Sequence, residues 1–144
     1  MMIETIKIEE DARLPQYAHA SDAGADLFSC EDITLYPGER HAVRTGIAIN
    51  IPDGYVGFIT PRSGLAAKNG VTVLNAPGTI DAGFQGELKV ILINTDLYMP
   101  HEIKHGDKIA QIVFQKIKHG EFIRVDNFPN KTERGSGGFG STGS

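Results

Sequence analysis

The sequence predicts an all-β chain, a jelly roll of two sheets, and three observations predict it. The apolar runs are short and rich in β-branched residues, and several alternate with polar residues as strands with one buried face do. The 17 glycines and 7 prolines punctuate the 144 residues at short intervals, so few stretches are long enough for a helix. Turn-prone pairs such as Pro37-Gly38 and Asp53-Gly54 stand between the runs. Short strands spaced regularly by such turns indicate a sandwich or barrel, among which the two-sheet jelly roll is preferred.

Taken in order, ETIKIEE alternates, with Ile6 and Ile8 on one face. DITLYPGER runs from a strand into the Pro37-Gly38 turn. HAVRTGIAINIP is a longer strand ended by Pro52, and Asp53-Gly54 turns the chain. GYVGFITP, GVTVLNAP, GELKVILIN and KIAQIVFQKI continue the series. SGLAAKNG (63–70) alone reads as helix, with Ser63 as its cap and Asn69-Gly70 as its stop. ITLYPGERHAVRTGIAI and HEIKHGDKIAQIVFQKI both set a Gly-acid-base triplet before a long strand, which points to a shared turn geometry rather than a repeat. From Asn130 the run NKTERGSGGFGSTGS has one aromatic and no aliphatic residue, so it cannot join a core. The chain therefore divides into a folded domain, residues 1–130, and a flexible glycine-rich arm, residues 131–144.

Hydrophobic content of 40% and charged content of 22% suit a globular chain. A net charge of −4 argues against general nucleic-acid binding, which needs a basic surface. The one cysteine, Cys30, excludes an internal disulfide. No apolar run approaches the ~20 residues of a membrane helix, and the N-terminus lacks the apolar core of a signal peptide, so a cytoplasmic setting is expected. The five histidines suggest no metal site: His101 and His105 are not held on a helix and no cysteine partner is near, so zinc is not expected. GSGGFGS lacks the Lys-Ser/Thr of a phosphate-binding Walker loop, and no Gly-x-Ser-x-Gly elbow is present.

Four segments and the arm can carry chemistry. In TPRSGLAAKNG, Arg62 offers a rigid fork of donors to phosphate, and Ser63 with Gly64 stands at the positive end of the helix. A capped surface helix explains the same residues. In VTVLNAPGTIDAGFQGELKV, two apolar strands flank a hairpin-like excursion whose backbone could pair with a flat pyrimidine edge. Asp81 there could order a water for attack, or simply close a turn beside glycine. Phe84 has a plain reading as core filler. In SDAGADLFS, Asp26 could reach a hydrated Mg2+, while turn chemistry accounts for Asp22 equally well. Gln111 lies in the strand of HGDKIAQIVFQ and could face a ligand or solvent. In the arm, Gly-rich backbone can close on phosphate oxygens, with Arg134 supplying charge and Phe139 an isolated ring.

The order of AGADLFS, PRSGLA, NAPGTIDAGFQGELKV, GDKIAQIVF and RGSGGFGSTG resembles the five motifs of the homotrimeric dUTPase family, from Ser21 to the C-terminus. The resemblance implies a jelly-roll trimer whose active sites are shared between subunits, hydrolysing dUTP to dUMP and pyrophosphate with Mg2+. It implies that the hairpin, including Asn75, Gly78, Thr79 and Ile80, reads uracil and deoxyribose. Asp81 would contact the 3'-hydroxyl and order the attacking water, and Phe84, where tyrosine is commoner, would pack under the sugar. Lys89 would lie within reach of substrate in the following strand. Arg62, Ser63, Gly64 and Gln111 would serve the phosphates. Asp26 would orient water around the metal. Phe139 would stack on uracil, while Arg134, Gly140, Ser141 and Thr142 would close over the phosphates. A dCTP deaminase, or a non-catalytic trimeric nucleotide-binding protein on the same scaffold, is the alternative.

Overall fold

The computed structural model describes residues 1–143; Ser144, the end of the expected arm, lies outside the described residues. Ten strands and one helix follow in the order β1 (Glu4–Lys7), β2 (Ala25–Phe28), β3 (Ile33–Leu35), β4 (Arg40–Asn50), β5 (Tyr55–Thr60), α1 (Ser63–Asn69), β6 (Val71–Val73), β7 (Gly78–Ile80), β8 (Glu87–Asn94), β9 (His101–Ile103) and β10 (Lys108–Lys116). Two four-stranded sheets, ordered β1-β4-β8-β6 and β2-β10-β5-β7, and a small β3-β9 pair make an all-β jelly roll. Every pairing between named strands is antiparallel.

One hydrophobic cluster joins the two large sheets. Val43, Leu88 and Val90 reach it from one, and Leu27, Ile59 and Ile112 from the other. Strand β8 shows how the alternation works: Leu88, Val90, Leu92 and Asn94 are buried, while Lys89 faces out. Asn94, fully buried among aliphatics, is tolerated because its amide donates to the carbonyls of Leu35 and Met99, each at 2.9 Å. The face carrying Ile6 and Ile8 is exposed in the single chain rather than part of this core. Among the described residues no helix is long and apolar enough to cross a membrane.

The echoed segments do share a turn. Gly38 and Gly106 have φ of 81° and 88°, and the amides of Glu39 and Asp107 close the turns on the carbonyls of Tyr36 and Lys104. The acid of each triplet also accepts a hydrogen bond from the first amide of its turn, Glu39 from Tyr36 and Asp107 from Lys104.

Helix α1 differs from expectation at its start. Arg62 is the capping residue, still extended at φ −89° and ψ 131°, and Ser63 is already helical. Arginine has no short acceptor to offer, so the first turn has no side-chain cap. Its end is as expected: Gly70, at φ 66°, turns its amide back onto Leu65 and Ala66.

Candidate active site

Strand β5 organises the site, because candidate groups gather at both of its ends. At its C-terminal end Pro61 stops the sheet and Arg62 leads into α1. Strand β10 runs beside it, with Gln111 opposite Thr60 on one side and opposite Asp26 of β2 on the other. This register brings Asp26, Arg62, Ser63, Gly64 and Gln111 around one open cavity of about 610 Å³. Asp26, 8% exposed, faces two cations: Arg62 Nε is 3.5 Å from Oδ1, and Lys108 Nζ is 3.2 Å from Oδ2. Gln111 donates its amide to the Pro61 carbonyl at 3.3 Å. Gly24 lies so close that a Cβ there would stand 2.5 Å from Gln111 Oε1. Asp22, by contrast, closes a turn by accepting the His19 amide at 2.8 Å.

Two cations beside one carboxylate leave this pocket suited to an anion that competes for them. The carboxylate also bears on the metal. Mg2+ takes oxygen ligands and gives up its water reluctantly. Asp26, already held by Arg62 and Lys108, fits a hydrated ion at one remove better than direct ligation.

The hairpin candidates occupy β7 and its flanks. Strands β6 and β8 pair with each other, and the excursion between them crosses to the other sheet, where β7 pairs with β5. Gly78 lies opposite Ile59 and Ile80 opposite Gly57, which carries Asp81 past Val56. Asp81 is exposed and lines a second cavity, about 670 Å³, with Asp53, Tyr55, Ile117 and His119. The turn reading of this residue also holds at the backbone, since the Phe84 amide bonds the Asp81 carbonyl at 3.1 Å. Asn75 packs beside Gly78 and Thr79 is exposed. Phe84 is not core filler: it is 43% exposed and rests over Gly86, where a Cβ would come within 2.8 Å of its ring. Lys89 lies exposed on β8, opposite Arg44.

The arm stands apart from both cavities' lining. Arg134 Nε donates to the Gly137 carbonyl at 2.8 Å, and the Ser141 amide bonds the Gly138 carbonyl. Phe139 is fully exposed at φ 52°, followed by Gly140 at φ 80°. Ser141 and Thr142 are exposed as well. A single chain thus gathers the phosphate-side candidates, keeps the hairpin group separate, and leaves the arm away from both.

Two residues of this layout escape a reading by sequence. Lys108 stands within one of the five motifs, but nothing in its spacing reveals that a β-bulge turns it toward Asp26. Gly24 resembles any turn glycine, and its closeness to Gln111 depends on strands far apart in sequence. Glu87, the glutamate nearest the hairpin, is engaged by Arg44 at 3.1 Å and by the Gly46 amide at 2.9 Å. The hydrogen bonds that Arg44 donates to Glu9 and then to Glu87 push its guanidinium still further toward its charged form.

The chain resembles known proteins along nearly its whole length. The family model described as dUTPase matches residues 10–143. A deoxyuridine 5'-triphosphate nucleotidohydrolase of Thermobifida fusca (strain YX) is 56% identical over 141 residues, covering 98% of this chain and 78% of that one. Its counterpart in Leifsonia xyli subsp. xyli (strain CTCB07) is 52% identical, covering 99% and 93%. Among solved structures, a mutant dUTPase of Staphylococcus bacteriophage 80alpha with dUpNHpp superimposes with a TM-score of 0.93 at 31% identity, covering 99% of both chains. A mutant dUTPase from phage phi11 of S. aureus, solved with a structural Mg(II) ion, gives 0.82 at 31% identity over 89% of this chain and 99% of that one. With a family match across the body and the arm, and relatives identical at more than half of the aligned positions, the chain belongs to the dUTPase family.

Proposed function

We propose that the protein hydrolyses dUTP to dUMP and pyrophosphate, acting in the cytoplasm as a homotrimer with shared sites. In this role it keeps uracil out of DNA and supplies dUMP for dTMP synthesis. The observation that carries the reading is the placement of Arg62, Lys108 and Gln111 about one cavity and of the exposed Asp81 carboxylate at the other end of the same strand.

The reaction asks the protein mainly for positioning and charge compensation. Asp81 orients a water for in-line attack on the α-phosphorus and accepts its proton. Arg62 and Arg134 offset charge growing on the pyrophosphate. Ser63, Gly64 and Gln111 hold the phosphate oxygens. Asp26 would orient the hydration water of a Mg2+ ion, which would supply charge neutralisation at the phosphates. Asn75 and the backbone from Gly78 to Ile80 read the uracil edge, leaving no room for a 5-methyl group. Phe84 packs under the deoxyribose and rejects a 2'-hydroxyl; its ring face serves without the phenol of the commoner tyrosine. Lys89 lies alongside the hairpin as a further substrate contact. The arm of residues 131–144 closes last, Phe139 stacking on uracil while Gly140, Ser141 and Thr142 exclude bulk water.

Purified protein with Mg2+ should release pyrophosphate from dUTP and leave dTTP and UTP untouched. Asp81→Asn should still bind a non-hydrolysable dUTP analogue yet turn over slower by about a hundredfold or more. Undiminished turnover in that variant would show that another group orients the attacking water. Deamination of dCTP would require a free glutamate at the base, and the engagement of Glu87 by Arg44 and Gly46 speaks against it.

A further inference from the structure

Away from the nucleotide cavities, the fold brings together three metal-ligating side chains from three separate segments. Asp11 follows β1, Cys30 lies just past β2, and His105 stands in the turn between β9 and β10. His105 Nε2 is 3.1 Å from Asp11 Oδ2, and Cys30 Sγ is 3.9 Å from Asp11 Oδ1. One ligand atom from each residue lies within 4.8 Å of the other two. Zinc bonds of ~2.0–2.1 Å to nitrogen and oxygen and ~2.3 Å to sulfur set tetrahedral donors roughly 3.3–3.7 Å apart. The separations from Asp11, 3.1 Å and 3.9 Å, bracket that spacing, and side-chain rotation alone can draw a set already within 4.8 Å onto one ion. We propose that Asp11, Cys30 and His105 form a binding site for a borderline-soft divalent cation, Zn2+ foremost, with water as the fourth ligand.

The backbone holds each donor in place. The Cys30 amide bonds the Arg44 carbonyl at 2.7 Å, and Cys30 packs so tightly on Gly46 that a Cβ there would stand 2.7 Å from its sulfur. The His105 amide bonds Asp32 Oδ1 at 2.7 Å, within a turn closed from Asp107 to Lys104. Asp11 precedes Ala12, whose amide bonds the Glu9 carbonyl and whose side chain is buried. Little chain ordering remains for an ion to impose. The donor set selects the ion: thiolate and imidazole suit zinc, whereas Mg2+ and Ca2+ ask for oxygen.

Burial, and then the nearby Asp11 carboxylate, push the Cys30 thiol above its ordinary value, favouring the form that holds its proton. Binding therefore exchanges that proton for the cation, S–H giving way to a metal–thiolate bond with one proton released to solvent and no change of oxidation state. The cation then faces Asp11, with Glu9 and Glu87 close enough to act on the same sulfur, their charge partly offset by Arg44.

Titration of the full, nucleotide-free chain with Co2+ tests the site. One Co2+ per chain should bind with an intense near-ultraviolet thiolate-to-metal band. Cys30→Ser should abolish the band, and His105→Ala should weaken binding about tenfold or more. Zn2+ should bleach the band and shield Cys30 of the unaltered protein from iodoacetamide, a readout independent of any variant's folding. Cys30→Ser should hydrolyse dUTP normally, so this site and the nucleotide site stand or fall separately. No band in the unaltered protein, or Co2+ binding undiminished in either variant, would reduce the cluster to an Asp11–His105 ion pair with a neighbouring thiol and overturn the proposal.

Discussion

At the scale of single residues, the site depends on small groups as much as on charged ones. Gly24 lets Gln111 sit where it does, since a Cβ would press its amide oxygen at 2.5 Å and its Cβ at 3.1 Å. The amide is the free end of a flexible side chain and can swing away, so Gly24→Ala should fold with little loss of Tm. Given the role proposed for Gln111 at the phosphates, kcat/KM for dUTP should nevertheless fall about tenfold or more, because misplacing such a contact by about 1 Å is costly. In a Gln111→Ala background the same substitution should add little, because the amide it displaces is gone and only the 3.1 Å contact with the Cβ remains. A loss that persists undiminished in that background would place the role of Gly24 elsewhere. The sequence makes Gln111 a candidate but gives no sign of this dependence, since the contact joins a loop before β2 to the middle of β10.

At the scale of elements, alternation and turn chemistry make most strands legible. The pairs Pro37-Gly38 and Asp53-Gly54 mark real turns, with φ of 81° and 87° at the glycines, and Gly70 ends α1 as expected. Gly70→Ala must adopt φ 66° with a Cβ 2.9 Å from Thr95 Oγ1. It should lower stability by about 1–2 kcal/mol in denaturant unfolding, while the neighbouring Asn69→Ala on the exposed side should change little. The start of α1 misleads because a serine beside a helix looks like a cap, whereas Pro61 and the extended Arg62 place the boundary one residue earlier. Beyond β8 the chain is held by Asp96, whose carboxylate accepts the amides of Met99 at 2.7 Å and Tyr98 at 3.0 Å. These bonds, Met99's first, lower its pKa. A carboxyl depressed in the folded state stabilises at pH above its unfolded value, and that contribution fades as pH falls through the lower folded value. Asp96→Ala should therefore lower Tm at neutral pH, with the gap to the unaltered protein closing in acid. A gap independent of pH would mean that the charge is irrelevant to the turn.

For the whole molecule, the candidate residues are legible in the sequence, but how the fold distributes them is not. Register along β5 supplies that. Asp81 runs past Val56, and Arg62 follows the far end of the same strand in extended backbone. Six residues at ~3.3 Å each separate the two backbones by roughly 20 Å. Within one chain, Arg62, turned toward Asp26, and Asp81 stand too far apart to serve one phosphate. In the proposed reaction the two would meet across a subunit boundary, and mixed trimers test this. Arg62→Ala and Asp81→Asn, each nearly inactive alone, should regain activity when unfolded together and reassembled. With random assembly at equal amounts, about one quarter of sites would draw Arg62 and Asp81 from unaltered copies, since each contribution is intact half the time. Activity near a quarter of the unaltered trimer's, rising from almost nothing on mixing, is the expected result. Mixtures that stay as inactive as their parents, despite proven subunit exchange, would show that one chain supplies both groups and that the arrangement along β5 does not govern the working site.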